Sequence, residues 1–195
     1  MKYTIIPHTN LRVSKICLGT MTWGNQNTPA EGFEQMDYAL DAGVNFFDTA
    51  ELYPVPATAD TYADTERIMG DWFAARNNRD QVILATKIAG PGAYTAHIRT
   101  TGFTPSSIRE ALEGSLTRLK TDYIDLYQLH WPERNANFFG KRDYFPDPDE
   151  QWEENFQAIL ETLEAFVQEG KIRHIGLSNE TPWASMKYIS LSEQK

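Results

Sequence analysis

The chain has 195 residues, 41% hydrophobic and 23% charged, and a net charge of −9 at pH 7. That length carries one domain with a sizeable core, and the composition is that of a globular protein rather than a disordered or fibrous one. The acidic balance argues against nucleic acid or an anionic membrane surface as partner, and no apolar stretch approaches the roughly 20 residues needed to cross a bilayer.

Taken in order, residues 3–13, with a turn at His8-Thr9-Asn10, read as a hairpin. The start, Met1 to Pro7, lacks the apolar core of a signal peptide. Short apolar runs follow at Ile16-Cys17-Leu18, Val44 to Phe47, Val82 to Ala85, Ile124 to Leu129 and Ile172 to Leu177. Each reads as a strand. Helical periodicity fills the intervals at about 30–42, 62–76, 105–119, 155–169 and 181–191. Gly43 and Gly170 stand where helix C-caps belong, and Thr104-Pro105 and Thr181-Pro182 mark helix starts. Cys17, the only cysteine, reads as a small buried hydrophobe, so no internal disulfide forms and a reducing, cytoplasmic setting is expected. No linker or low-complexity segment divides the chain, so residues 1–195 read as one domain without internal boundary.

Strands alternating with helices predict an α/β fold with a covered parallel sheet, whose C-terminal strand ends share one side where loops build a site. Gly19-Thr20, Asp48, Lys87, His130 and Ser178-Asn179 stand at those ends, and Tyr53 follows in the loop after Asp48. A tyrosine ordinarily has a pKa of about 10, too high for easy proton exchange near neutrality. A lysine ammonium at about 4 Å favours the phenolate by roughly 4 kcal/mol, nearly three pKa units, with an aspartate to keep that ammonium charged. A histidine hydrogen-bonds the carbonyl oxygen that the tyrosine protonates. Such a set is a proton donor with an oxyanion site and needs a cofactor for hydride. His8, His97, His130 and His174 have no ligand spacing with one another or with Cys17, so no metal is expected.

Long connections at about 52–64, 88–105 and 131–152 follow strands on the same side. The third carries Trp131, Phe138, Phe139, Tyr144, Phe145 and Trp152. These aromatics read either as a satellite cluster that holds the loop down or as a wall over a substrate.

The motifs Gly19-Thr20-Met21, Asp48-Thr49-Ala50-Glu51-Leu52-Tyr53, Ala85-Thr86-Lys87, Leu129-His130-Trp131 and Gly176-Leu177-Ser178-Asn179 resemble, in order, those of the aldo-keto reductases. The Tyr53-Pro54-Val55-Pro56 loop is similar to that of the bacterial Tas-type members. The resemblance implies a TIM (β/α)8 barrel that binds NADPH and reduces aldehydes and ketones to alcohols by hydride transfer. It implies Tyr53 as general acid, Lys87 as its pKa-lowering neighbour, Asp48 as the lysine's partner and His130 as the group orienting the carbonyl. By the same resemblance Ser178 and Asn179 would hold the nicotinamide carboxamide, with Thr20, Met21 and Asp48 near the cofactor. Trp23 and Trp131, with Tyr53 and His130, would line the substrate pocket.

The chain supplies about five βα units after the hairpin, where a closed barrel has eight strands and usually around 250 residues. The expectation is an incomplete barrel with open edges that invite self-association. Three readings follow: an N-terminal piece of a longer reductase, a half-barrel that completes itself by association, or a non-catalytic binding or regulatory subunit of the same fold.

Overall fold

A computed structural model describes residues 1–193. Five parallel strands form one sheet in the order β3-β4-β5-β6-β7: β3 (Cys17–Gly19), β4 (Phe46–Asp48), β5 (Ile83–Ile88), β6 (Ile124–Leu129) and β7 (Ile172–Leu177). Between and after them run α1 (Pro29–Asp41), α2 (Asp64–Arg76), α3 (Pro105–Leu119), α4 (Phe156–Gln168) and α5 (Pro182–Ser192). The strand order follows the chain order, as in the wall of a barrel, and the architecture is an α/β partial barrel.

The local signals act where they stand. Thr28 closes a capping box with Glu31 ahead of α1, while Thr104 and Thr181 each accept a backbone N–H at the starts of α3 and α5 with proline inside the first turn. Gly43, at φ 83, takes the left-handed conformation that ends α1. Helix α2 begins at Asp64, later than the periodicity suggests, because Ala63 adopts a left-handed backbone that the helix cannot continue. Strand β5 runs past Ala85 to Ile88, paired with β6 from Ala85 onward, so Lys87 lies within the strand near its C-terminal end.

The helices cover one face of the sheet. Phe47, Leu84, Ile88 and Tyr127 are fully buried there with Trp72, Met69, Ile108, Leu112 and Phe166 of the helices. Side chains alternate along each strand, and the opposite face, which carries Phe46, Asp48, Ile83, Leu126 and Gln128, is only half-buried. Cys17 belongs to that second face and is exposed, contrary to the expectation of a buried hydrophobe. The reason is position: among the described residues β3 pairs on one side only, with β4.

The antiparallel hairpin of β1 (Tyr3–Ile5) and β2 (Arg12–Ser14) lies across the N-terminal strand ends. Asn45 binds Ser14 and Arg12 there, Tyr3 Oη donates to Gly43 O at 2.8 Å, and Asn10 Oδ1 reaches His174 Nε2 at 3.0 Å. One end of the sheet is thus occupied, and the long loops rise from the other. No described helix is long and apolar enough to cross a membrane.

Candidate active site

The site begins in the sheet register. Asp48 ends β4, pairs with Ala85 of β5, and so stands beside Lys87 two residues further along. Lys87 Nζ donates to Asp48 Oδ2 at 2.7 Å and to Thr49 O at 2.7 Å, and the lysine is 6% exposed. Gln128 Nε2 approaches the other Asp48 oxygen at 3.4 Å. Burial lowers the lysine from its ordinary value and the aspartate pulls it back up.

Tyr53 lies over this pair. Lys87 Nζ sits 5.1 Å from the centroid of its ring, and the Tyr53 and His130 rings meet edge to face at 5.8 Å. The expected lowering of the Tyr53 pKa does not follow from this geometry. Burial first, and the Asp48 carboxylate second, push the phenol above its ordinary value. Two of the ammonium's three donors go to Asp48 and Thr49, and it lies over the ring. Tyr53 is therefore held as the protonated phenol.

His130 follows β6, its backbone N–H bound to Ile88 O at 3.1 Å. Its ring is buried, and burial with the nearby Lys87 charge lowers its pKa to about 3. The imidazole is neutral at physiological pH. Among the described residues its Nδ1 is buried without a partner, so Nε2 is the nitrogen left to meet a ligand.

These side chains open on a cavity of about 390 Å³ lined by Met21, Leu52, Tyr53, Val55, Tyr94, His130, Trp131 and Phe139. Trp131 stacks on Phe138 with 6.3 Å between ring centroids, meets Phe139 at 5.5 Å, and donates its indole N–H to Pro91 O at 3.2 Å. It packs so closely on Gly90 that a Cβ there would come within 2.2 Å of the indole nitrogen. The aromatic loop is at once a packed cluster and a wall of this cavity.

Trp23 is elsewhere. It is 1% exposed, packs on Gly32 of α1 and Ile68 of α2 within the main core, and donates to Gln35 Oε1 at 3.0 Å. The chain turns inward after Thr22, and the indole fills the space under α1 instead of the pocket. Thr20 is also fully buried, its hydroxyl donating to Asp48 O at 2.9 Å, whereas Met21 is exposed at the cavity edge. Asn179, in a left-handed backbone conformation, donates from Nδ2 to His130 O at 2.9 Å and to Ser178 Oγ at 3.0 Å, and so ties the end of β7 to that of β6. Ser178 keeps its hydroxyl proton and Asn179 its Oδ1: one donor and one acceptor, the complement of a carboxamide.

Sequence reasoning missed the buried ion pairs that hold the loops. Glu51, fully buried, accepts from Ala89 N at 2.6 Å and pairs with Arg99 of the loop after β5. Arg134, in the loop after β6, binds Glu180 and Thr181 beyond β7. Glu66 on α2 accepts from Thr86 and Arg118. The acidic residue inside Asp48–Tyr53 was the one visible signal, since a charge flanked by Ala50 and Leu52 needs a partner if buried. Among the described residues no cluster of His, Cys, Asp and Glu is suited to a metal ion.

Residues 15–195 match the model of the aldo/keto reductase family. The chain is 43% identical to Protein tas of Escherichia coli K12 over all of its own length and 56% of that protein's. It is 32% identical to the norsolorinic acid reductase stcV of Emericella nidulans, covering 93% of this chain and 43% of that one. A solved thermostable aldo-keto reductase, Tm1743, in complex with the inhibitor epalrestat, superposes with a TM-score of 0.70 at 25% identity, over 98% of this chain and 58% of its own. The chain therefore spans about half the length of the relatives it matches. With the family's model matched almost from end to end and a sheet that superposes on the barrel wall of a solved member, this chain belongs to the aldo/keto reductase family.

Proposed function

We propose that this chain carries the proton-transfer half of an NADP(H)-dependent carbonyl reductase site. The observation that carries the reading is the convergence of a protonated Tyr53 and a neutral His130 on one cavity, with the Lys87–Asp48 pair behind them. Two of the relatives, stcV and Tm1743, are reductases by title, which agrees with it.

In this reading a substrate carbonyl oxygen sits between Tyr53 Oη and His130 Nε2. The neutral imidazole donates a hydrogen bond without adding charge, and Tyr53 gives its proton as negative charge builds on that oxygen. Lys87, held by Asp48 and Thr49, supplies a fixed positive charge under the ring that stabilises the phenolate once the proton has left. Ser178 and Asn179 fit a nicotinamide carboxamide with their unused donor and acceptor, and Met21 borders the place where its ribose would lie. When bound there, the nicotinamide supplies the hydride. The phosphorylated form of the cofactor is carried by the family resemblance alone.

The test is turnover of benzaldehyde with NADPH by the chain and by its Tyr53→Phe variant. The expected loss in the variant is about 10²–10⁴-fold with NADPH affinity retained. Equal rates in the two forms would remove Tyr53 from the role of acid.

A second reading rests on the half-buried sheet face and on β3 and β7, each paired on one side only among the described residues. Such edges favour association with another copy of the chain. Sedimentation at rising concentration tests it, and a monomer throughout would reject it.

A further inference from the structure

Apart from Tyr53 and His130, the residues lining the cavity include one more with a hydrogen-bonding proton to offer, Tyr94, itself 47% exposed. The Trp131 indole N–H is already given to Pro91 O, and Met21, Leu52, Val55 and Phe139 are apolar. Tyr94 stands in the short helical turn Ala93–Thr95 after β5, which Thr95 anchors by donating its hydroxyl to Gly90 O at 2.7 Å. Its own hydroxyl accepts the Ala57 backbone N–H at 3.0 Å, so the far end of the ring is held against the loop that carries Tyr53. A phenol that accepts one hydrogen bond still has its proton to donate. Tyr94 also contributes to raising the Tyr53 phenol, which sets the two hydroxyls within electrostatic reach of each other.

We infer that Tyr94 is a specificity-determining residue, whose hydroxyl donates to a second, uncharged oxygen on an otherwise apolar substrate, apart from the carbonyl held by Tyr53 and His130. This rests on the reductase reading of the same cavity. The second oxygen belongs to a hydroxyl, ether or further keto group. A carboxylate is disfavoured, because the residues lining the cavity include no lysine or arginine to pair with it.

The test uses pairs of aromatic aldehydes with the same shape, methoxybenzaldehyde against ethylbenzaldehyde in the ortho, meta and para series. Their affinity for the whole chain is read from tryptophan fluorescence and their turnover from NADPH consumption. The expected result is a methoxy preference of about fivefold in at least one series, abolished in Tyr94→Phe while the ethyl compound binds as before. A preference that is absent, or that survives in Tyr94→Phe, overturns the inference even where turnover proceeds. An equal loss for both members of a pair would mean that the hydroxyl only anchors the loop, and overturns it as well. A Tyr94-dependent preference without turnover leaves the inference standing and removes the reductase reading. No saturable binding of either aldehyde removes both.

Discussion

Phe46 and Phe47 are neighbours in β4, yet Phe47 is fully buried against Trp72, with ring centroids 5.9 Å apart, while Phe46 is half-buried on the opposite face. The same division runs across the sheet: Leu84 against Ile83, Tyr127 against Leu126. Apolar residues stand on both faces, so the hydrophobicity of the runs does not say which face the helices cover. The helical face holds the packed core, and the other face, with Asp48 and Lys87 at its rim, carries the proposed site. Placing ionisable groups on the less covered face keeps Asp48 partly solvated beside its buried lysine.

That division can be broken by substitution. Phe47→Ala should lower the unfolding free energy by about 3–5 kcal/mol in urea titration, since it empties a space the helices cannot refill. Next comes Glu51→Gln, which leaves Arg99 without its carboxylate and should cost about 3 kcal/mol, with the double variant Glu51→Gln/Arg99→Met regaining part of it.

The pH dependence should separate His130 from the rest. Its folded pKa of about 3 lies below the ordinary 6.5, so between those values the unfolded chain binds a proton that the folded chain does not. The stability due to the neutral ring is complete above pH 6.5 and falls as pH drops towards 3. Relative to His130→Asn, the protein should lose about 2 kcal/mol between pH 7 and pH 5. An unchanged difference over that range would mean that the ring protonates freely. The smallest effect belongs to Phe46→Ala, about 1 kcal/mol, because its side chain leaves water only in part. A cost equal to that of Phe47→Ala would show the two faces to be equally covered.

Much of the fold was legible because its signals are local. Thr104 and Thr181 cap the helices that their sequence positions announce, and Ile68, Met69, Trp72 and Phe73 are buried as their spacing implies. The meeting of Asp48, Tyr53, Lys87 and His130 was legible from the side of the sheet on which they end. Trp23 and Trp131 were not separable, since two tryptophans that follow strand ends look alike until the chain path is known. Nor was the direction of the Tyr53 shift, which depends on whether the ammonium faces the hydroxyl or the ring.

The sequence by itself determined the elements, their order and the family, because periodicity, caps and strand-end motifs are properties of neighbouring residues. Only the tertiary structure decided which face of each apolar strand is covered, which tryptophan enters the cavity, and which buried charges meet. Those outcomes depend on distances between residues far apart in the chain, as between Glu51 and Arg99 or between Arg134 and Glu180. Burial and electrostatic energy vary steeply over such distances, so spacing along the chain cannot stand in for them.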